Sequence, residues 1–352
     1  MKHITIFRFA SLLLAFSLLL TLSACGGSGD DPDGTAGSDA LAGPVTLSEP
    51  VRVMVLSGTT GFGMAPLMDA ASKGTSTLKY VFSVENDASV ITPALLNGTC
   101  DIAALPTNAA RTLYVKKPGS IQILCANTLG VLYVMTGEGV TISSFEELRG
   151  RTVYCPAQNP TFIFSALCQA NGLIPGIDVT IDNGYAQPAD LRTALVTGKV
   201  DIAVLPEPMV TIAKSANDKL TVSLDLTREW EAAFGADTPL VQGCLVVRTA
   251  FAEAHPAAVA AFLAEYEDSV NFVKNNPAEA GAMIEAQGVF TNGAVAAKAI
   301  PNCNLCFAAG NDMGKMLDNF YRAMMTFGND SDSVGDVPPG TAPLYYGTET
   351  AE

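Results

Sequence analysis

The sequence of 352 residues has few basic side chains and almost no histidine. Its 20 Lys and Arg stand against 35 Asp and Glu, which gives a formal net charge of −15. A protein that binds nucleic acid needs positive charge to neutralise phosphates, so this balance excludes that class of partner. The two histidines are His3 and His255. With 49% hydrophobic and 16% charged residues, the composition is that of a globular protein.

The sequence also lacks an even set of cysteines for a disulfide framework. Of its eight cysteines, Cys25 belongs to a leader motif described below, and the remaining seven are an odd number. Most of them lie in apolar runs, where a free cysteine behaves as a small hydrophobic residue. Cys303 and Cys306 have the spacing of half a zinc site, but no second pair and no histidine lies near them in sequence. We therefore expect packing thiols and no metal ion, while a local disulfide between these two remains open.

The apolar run near the start is too short to span a membrane. Lys2 and Arg8 precede an apolar stretch from residue 9 to 22, which is typical of a secretory signal in residues 1–24. The motif Leu-Ser-Ala-Cys that ends at Cys25 resembles the bacterial lipobox, which implies cleavage before Cys25 and its lipidation. Residues 25–50 then contain GGSGDDPDGTAGSDALAGP, which predicts a flexible acidic linker between the lipid and a folded body.

An internal repeat organises the rest of the chain. ALLNGTCDIAALP at 94–106 and ALVTGKVDIAVLP at 194–206 share eight of thirteen residues at an offset of 100. Strands are predicted near 51–56, 78–84 and 100–105, and again near 151–155, 177–182 and 200–205, with helix-like segments between them. This alternation predicts an α/β protein of two similar lobes, each a mainly parallel sheet flanked by helices. Asp101 and Asp201 should occupy equivalent positions and help turns or helix ends.

The lobes are expected to be discontinuous in sequence. ANTLGVLYVM at 126–135 would cross to the second lobe and the strand at 243–248 would return, so that residues 51–128 plus 244–327 form lobe 1 and residues 129–243 form lobe 2. Helices are predicted near 256–275, 278–287, 292–300 and 311–327, all packed on lobe 1. Residues 328–352 are predicted to be a loose tail.

Ligands of such sheets bind beyond the carboxyl ends of the strands, where helix N-termini present free N–H groups. Four loops meet this description, at 57–63, 107–108, 157–161 and 207–208, and they predict a small-molecule cleft between the lobes. In the first loop, the glycines either permit a tight turn or contact ligand, and one threonine is expected to cap the next helix. Glu207, held between two prolines, is either a ligand contact or a solvated loop residue.

Taken in order, these segments resemble a known family. The lipobox, the acidic linker, GTTGFG, ALLNGTCDIAALPTN, SSFEELRGRTVYCP, LPEP and GCLVVRTAFAEAHPAAVAAFLAEY are similar to type II periplasmic-binding proteins, and most of all to the nitrate/sulfonate/taurine/thiamine-precursor-binding lipoproteins of ABC importers. The likeness runs from about Val51 to Phe327. It implies two lobes that close on a ligand in the cleft about a two-strand hinge. By position, the residues at the cleft edges are Thr59, Thr60, Phe62, Thr107, Asn108, Gln158, Asn159 and Glu207.

The resemblance implies a monomeric solute-binding lipoprotein on the extracytoplasmic face of the membrane. Its partners would be a small-molecule ligand, an ABC permease with its ATPase, and the membrane itself through the lipid on Cys25, with no cofactor. The four loops contain no basic residue, which argues against a simple oxyanion such as nitrate. Because the Glu207 carboxylate favours N–H groups or positive charge, a nitrogen-bearing nutrient is expected, such as a thiamine-precursor-like pyrimidine or an amino-sulfonate.

Two other classes of function are compatible with parts of this sequence pattern. A fungal branch that resembles the same fold makes a thiamine precursor with a pyridoxal cofactor, but that chemistry needs a lysine near the cleft and the four loops contain none. His255, placed directly before a helix-starting proline, is a poor candidate for a catalytic triad, and Glu207 has no evident acidic mate. We therefore expect a binding protein and not an enzyme, whereas a ligand sensor lipoprotein that does not transport shares every feature and stays open.

Overall fold

The computed structural model describes residues 47–327 and 343–348. The predicted signal, the Cys25 motif and the linker up to residue 46 lie outside the described residues, as do residues 328–342 and 349–352. Within the described ranges, no helix has the length and apolar character needed to cross a bilayer.

Two sheets form the framework. In chain order the strands are β1 (Val51–Leu56), β2 (Tyr80–Glu85), β3 (Ile102–Pro106), β4 (Ile121–Leu129), β5 (Leu132–Thr136), β6 (Thr152–Tyr154), β7 (Thr180–Asp182), β8 (Ile202–Pro206), β9 (Thr221–Asp225), β10 (Val241–Arg248) and β11 (Leu305–Ala309). Sheet A has the order β11-β4-β10-β3-β1-β2 and sheet B the order β7-β6-β8-β5-β9. We call sheet A with its helices lobe 1, and sheet B with its helices lobe 2.

Helices connect and cover these strands. They are α1 (Thr59–Phe62), α2 (Ala65–Ser72), α3 (Ala88–Asn97), α4 (Thr107–Lys116), α5 (Asn159–Ala170), α6 (Pro188–Val196), α7 (Met209–Ala216), α8 (Leu226–Phe234), α9 (Thr249–Ala254), α10 (Pro256–Asn275), α11 (Pro277–Ala286), α12 (Gly293–Ala299) and α13 (Gly310–Phe327). Short 3₁₀ turns lie at Phe145–Leu148 and Ile300–Asn302.

The two-lobed α/β prediction is confirmed. Strands β1, β2 and β3 are parallel to one another, as are β6, β7 and β8, which are the strands that the repeat predicted. The strands outside the repeat pair antiparallel with their neighbours in the sheet. They are β10, β4 and β11 in sheet A, and β5 and β9 in sheet B. Each sheet therefore combines a parallel βαβ part with an antiparallel part.

The repeat has the same structure in both lobes. Residues 94–106 and 194–206 each form the end of a helix, a turn and a strand with the burial pattern of an interior strand. Gly98 and Gly198 follow the two helices with φ values of 78° and 69°, a left-handed backbone that glycine adopts without steric cost. The offset of 100 residues is thus a structural equivalence.

The aspartates of the repeat differ in their surroundings. Asp101 is only 2% exposed, and its carboxylate accepts hydrogen bonds from Arg52 Nε at 2.8 Å and from Arg248 Nη2 at 2.9 Å. It therefore ties β1 and β10 to the start of β3, which is more than the turn-supporting role expected from the sequence. Asp201 is exposed and forms no ion pair or side-chain hydrogen bond with the other described residues.

The C-terminal helices begin and end within about two residues of their predicted bounds, but α13 packs differently from the expectation. Instead of covering lobe 1 alone, it also contacts α5 and α8 of lobe 2. The Phe320 ring lies 5.5 Å from that of Trp230, Phe327 lies 5.4 Å from Phe234, and Gln169 Nε2 donates to the Phe327 carbonyl at 2.6 Å. Because the apolar stripe of α13 is covered from both sides, one hydrophobic cluster includes residues of both lobes.

The expected loose tail is corrected for residues 343–348. The Ile123 amide donates to the Leu344 carbonyl at 2.7 Å, and the Tyr346 amide donates to the Ile123 carbonyl at 3.0 Å. Leu344 is 6% exposed, and the Tyr345 hydroxyl donates to Asp318 of α13 at 2.6 Å. These six residues are held by strand-like hydrogen bonds and by one buried apolar side chain, features that a composition rich in Gly and Pro conceals.

The seven described cysteines are free thiols, and six of them are buried. Cys303 Sγ donates to the Ala299 carbonyl at 3.2 Å and Cys306 Sγ to the Ala126 carbonyl at 3.6 Å, so each has its own backbone partner. Burial raises the pKa of Cys306 to about 12, as it does for Cys100. Such thiols remain protonated and unreactive at neutral pH.

Candidate functional site

The chain crosses between the lobes at two places. Strand β4 ends at Leu129 in sheet A and β5 begins at Leu132 in sheet B, while residues 226–240 return from β9 to β10. The first crossing is held by hydrogen bonds, from Val131 N to Gln242 Oε1 at 2.7 Å and from Asn304 Nδ2 to Gly130 O at 2.6 Å. A Cβ on Gly130 would lie 2.1 Å from Thr227 Oγ1, so this position needs glycine.

The four predicted loops lie where β1, β3, β6 and β8 pass into α1, α4, α5 and α7. We define two parts of the cleft from them. The α1–α7 half contains Thr59, Thr60 and Glu207, and the α4–α5 half contains Thr107, Asn108, Gln158 and Asn159. The repeat makes position 59 equivalent to 159 and position 107 equivalent to 207, so each half holds one loop from each lobe.

Thr59 joins the two lobes directly. It is 7% exposed, and its hydroxyl donates to the Glu207 carbonyl at 2.7 Å. The Thr60 carbonyl accepts from Asn127 Nδ2 at 3.0 Å. Neither threonine caps α1, whose N-cap is Gly58 with no side-chain hydrogen bond. A Cβ on Gly61 would lie 2.2 Å from the Leu56 carbonyl, so this glycine permits the tight turn.

Phe62 lies in the core and not at the cleft. It is fully buried in the hydrophobic cluster of lobe 1, with its ring 6.0 Å from that of Phe290 in an edge-on arrangement. The expectation that Phe62 contacts ligand is therefore corrected. In a one-turn helix, an aromatic residue three positions after Thr59 points into the lobe because the apolar space there is where its burial stabilises most.

Asn127 supports the α1 loop and was missed by the sequence analysis. It is 1% exposed, and Nδ2 donates both to the Thr60 carbonyl and to the Tyr266 hydroxyl, the latter at 3.1 Å. Thr128 Oγ1 donates to Asn127 Oδ1 at 3.1 Å. The available signal was an amide residue in the interior of strand β4, among residues that are buried on both sides of it. Buried amides occur where their hydrogen bonds are needed.

In the α4–α5 half, Thr107 forms its hydrogen bonds with other residues of lobe 1. It is fully buried, its hydroxyl donates to the Val241 carbonyl at 2.7 Å, and its carbonyl accepts from the Tyr321 hydroxyl at 2.8 Å. Asn108 Oδ1 is buried and has no hydrogen-bond partner among the residues that the structure describes. Arg111 follows one turn later on α4, and its guanidinium lies 5.5 Å above the Tyr321 ring. A basic group thus lies close behind a loop that contains none.

The α5 side of this half also contains an unpartnered acceptor. Asn159 begins α5 and is 8% exposed, and within residues 47–327 and 343–348 its Oδ1 has no hydrogen-bond partner. Gln158 is exposed and has φ 65°, and its carbonyl accepts from Phe162 N at 3.1 Å. Buried polar atoms without a partner are uncommon in folded proteins. Among the described residues there are seven such side-chain atoms, and Asn108 Oδ1 and Asn159 Oδ1 are the two amide oxygens, each in the first turn of a helix that begins in a predicted loop.

Glu207 is buried, which contradicts the alternative of a solvated loop residue. It is 3% exposed, and its carboxylate accepts from Thr211 N and Thr211 Oγ1, both at 3.1 Å, and from Asn302 Nδ2 at 3.4 Å. Burial raises the pKa of the Glu207 carboxyl, while the bonds from Thr211 and Asn302 act in the opposite direction. The Asn302 carbonyl in turn accepts from the Tyr133 hydroxyl at 3.2 Å.

A cavity of about 500 Å³ lies away from the cleft, at the amino edge of the parallel strands of sheet A. It is lined in part by Arg52, Asp101 and Arg248. Since Asp101 already pairs with both arginines, this cavity belongs to the ion-pair network described above.

The chain is similar to a known protein family and, in fold, to several solved structures. A family model described as NMT1/THI5 like matches residues 84–280, more than half of the chain. No curated protein sequence matches it. Among solved structures, an ABC transporter from Parabacteroides distasonis superposes with a TM-score of 0.68 at 19% identity, over 83% of this chain and 97% of that chain.

Two further structures are similar in fold. The periplasmic aliphatic sulphonate binding protein SsuA from Escherichia coli gives a TM-score of 0.62 at 16% identity, over 81% of this chain and 99% of that chain. A Candida albicans protein, described as having the generic periplasmic binding protein fold, gives 0.55 at 14% identity, over 81% and 93%. The predicted two-lobed fold and the resemblance to the nitrate/sulfonate/thiamine-precursor family are confirmed. The chain belongs to the NMT1/THI5-like family.

Proposed function

We propose that this chain is the solute-binding component of an ABC importer, which captures a small nitrogen-bearing organic nutrient and delivers it to a permease and its ATPase. A thiamine-precursor-like pyrimidine and an amino-sulfonate both fit this description. The observation that carries the proposal is the pair of unpartnered acceptors, Asn108 Oδ1 and Asn159 Oδ1, at the starts of α4 and α5.

The chemistry of this pair favours a ligand with N–H donors. An unsatisfied buried acceptor costs about 1–3 kcal/mol, and a ligand donor removes that cost on binding. The first turns of α4 and α5 add free backbone N–H groups with partial positive charge, which favour an anionic group on the same molecule. A solute that combines an amine or ring N–H with an anionic or carbonyl oxygen satisfies both requirements.

Native mass spectrometry of the purified full chain tests this function. We expect a co-purifying small molecule that contains nitrogen, at one copy per chain. Calorimetry with taurine and with propane-1-sulfonate then measures whether binding requires an N–H donor. The two sulfonates differ chiefly at one end, where taurine has an ammonium group and propane-1-sulfonate a methyl group. Recovery of a bound molecule without N–H groups, or measurable binding of propane-1-sulfonate as tight as that of taurine, would contradict the ligand class.

Asn159→Ala tests whether Asn159 Oδ1 accepts a hydrogen bond from the ligand. Loss of a hydrogen bond to a charged donor should weaken binding of taurine by about 1.5–3 kcal/mol. Asp201→Ala is the control, since Asp201 lies in the same lobe at the amino end of β8, is exposed, and forms no ion pair or side-chain hydrogen bond among the described residues. Equal losses in both variants would remove Asn159 from the site.

We also propose that the mature chain is monomeric and anchored by lipid on Cys25 at the extracytoplasmic face, with residues 25–50 as tether. Sheet A with its helices and sheet B with its helices would then move as the two lobes. The return crossing falls before Val241, where β10 begins in sheet A, and not after residue 243 as the sequence predicted. Cys25→Ser should leave an unprocessed precursor without acyl groups, which mass spectrometry of the membrane fraction detects. Uptake of labelled solute by cells that express the chain distinguishes delivery from sensing.

A further inference from the structure

We propose that Glu207 is a positioning residue that latches the two lobes together across the α1–α7 half of the cleft in the absence of solute, so that the α4–α5 half is left for the solute. This inference rests on the proposed solute-binding function, but the latch itself needs no solute. It assigns Glu207 a different role from the ligand contact expected from the sequence.

The hydrogen-bonding groups of Glu207 are already occupied by the protein. Its amide donates to the Val131 carbonyl at 2.9 Å, and its carbonyl accepts from the Thr59 hydroxyl. Its carboxylate accepts from Thr211 in its own lobe and from Asn302 in lobe 1. One residue of lobe 2 therefore bonds to two separate elements of lobe 1, α1 and the 3₁₀ turn at 300–302.

The repeat provides an internal comparison. If the two halves of the cleft were alike, the contact between Thr59 and Glu207 would be matched by one between Asn159 and Thr107. In the structure the Thr107 hydroxyl donates to the Val241 carbonyl within lobe 1, and Asn159 Oδ1 has no hydrogen-bond partner in the described part of the chain. The α1–α7 half is therefore closed by a hydrogen bond between the lobes, whereas the described part of the α4–α5 half retains acceptors without a protein donor.

The surroundings of Glu207 fit an internal contact better than recognition of a charged solute. The groups that face its side chain are Tyr133, Cys303, Asn302 and Thr211, which are neutral at physiological pH. Among the described residues, no Lys, Arg or His forms an ion pair with it. Its carboxylate thus occupies space between the lobes that a carboxylate-sized group of a solute would otherwise fill.

Distance measurement between the lobes tests the latch. Labels are attached through a genetically encoded azide at Lys79 in lobe 1 and Lys199 in lobe 2, both exposed, so that the native thiols stay untouched. In the solute-free full chain, we expect a narrow distribution of label distances. Glu207→Ala should broaden it, and Thr59→Val, which removes only the hydroxyl bonded to Glu207, should broaden it to a smaller extent.

Thr107→Ala is the matched control, because Thr107 is the repeat equivalent of Glu207 and bonds within one lobe. We expect its distance distribution to equal that of the wild type. An unchanged distribution in Glu207→Ala, or equal broadening in Thr107→Ala, overturns the latch. If Glu207→Ala fails to fold, Thr59→Val alone decides in the same way. Failure of the solute-binding function would appear separately, as the absence of a bound molecule in native mass spectra.

Discussion

Asp101 and Asp201 show how equivalent residues of a repeat acquire different roles. Burial alone would raise the pKa of Asp101, but the hydrogen bonds from Arg52 and Arg248 outweigh it and lower the pKa below its usual value. Asp201 stands at the same place in lobe 2, exposed and without such partners among the described residues. The sequence predicted the equivalence of the two positions, but not the arginines, which come from β1 and from the distant strand β10.

We expect Asp101→Asn to lower the free energy of unfolding by about 2–4 kcal/mol. Removal of one member of a buried pair typically costs ~3–5 kcal/mol, and the partial exposure of both arginines reduces this. The stabilisation by Asp101 is present above the pKa of the unfolded chain and is lost as pH falls through the lower folded pKa. Urea unfolding at pH 7 measures the effect. Asp201→Asn is the control, expected within about 0.5 kcal/mol of wild type.

Glu207 should show the opposite pH dependence. Because its folded pKa is raised by burial, its contribution to stability is full below the unfolded pKa and is lost as pH rises through the folded one. Glu207→Gln does not titrate at this position, so its stability relative to wild type should increase between pH 4 and pH 8. The increase should be ~1.4 kcal/mol for each pH unit that separates the folded pKa from the unfolded pKa. Thermal unfolding of both proteins across this range measures it. A constant difference would show that burial does not perturb this carboxyl.

At the level of elements, those with a clear local sequence pattern could be predicted, whereas those that depend on pairing with distant strands could not. The helices α10 to α13 follow from apolar periodicity and from Pro256 at a first turn, and the repeat strands follow from short apolar runs between turns. Strands β9 and β11 were missed. Each has five residues and pairs through antiparallel neighbours far away in sequence, so its local pattern carries little information.

The same division explains the candidate site. The four loops were found because the carboxyl ends of parallel strands define them before any side chain is placed. The direction of a side chain within a loop was not predictable: Phe62 turns into the core, and Glu207 bonds across the lobes. Asn127 and Asn302 lie outside the loops, and only the folded chain brings them to the cleft.

Helix α13 offers a test of the contact between the lobes. Phe320 is 1% exposed and packs on Trp230, so Phe320→Ala should lower the free energy of unfolding by about 3–5 kcal/mol through lost burial and a cavity. Met325 lies on the same helix but is 54% exposed, and Met325→Ala should stay within about 0.5 kcal/mol of wild type. Urea titrations of the two variants compare them directly. Similar losses in both would place α13 outside the core.

The whole molecule should unfold as one unit despite its two sheets. One hydrophobic cluster includes residues of β3 and β4 in lobe 1, of β5 and β8 in lobe 2, and of α8 and α13 between them. Since neither lobe can lose this cluster alone, we expect coincident urea transitions by Trp230 fluorescence, which reports on α8, and by far-UV circular dichroism. Two separated midpoints would show that the lobes unfold independently.

The buried thiols give this chain a built-in chemical reporter of local opening. Cys100 in lobe 1 and Cys168 in lobe 2 have pKa values raised to about 12 by burial, so an alkylating reagent reaches neither while the surrounding core is intact. Each alkylation event therefore records one opening of the core around that thiol. Because both thiols belong to the cluster shared by the lobes, similar alkylation rates at these two residues, read by peptide mass mapping, would show that the cluster opens as a whole.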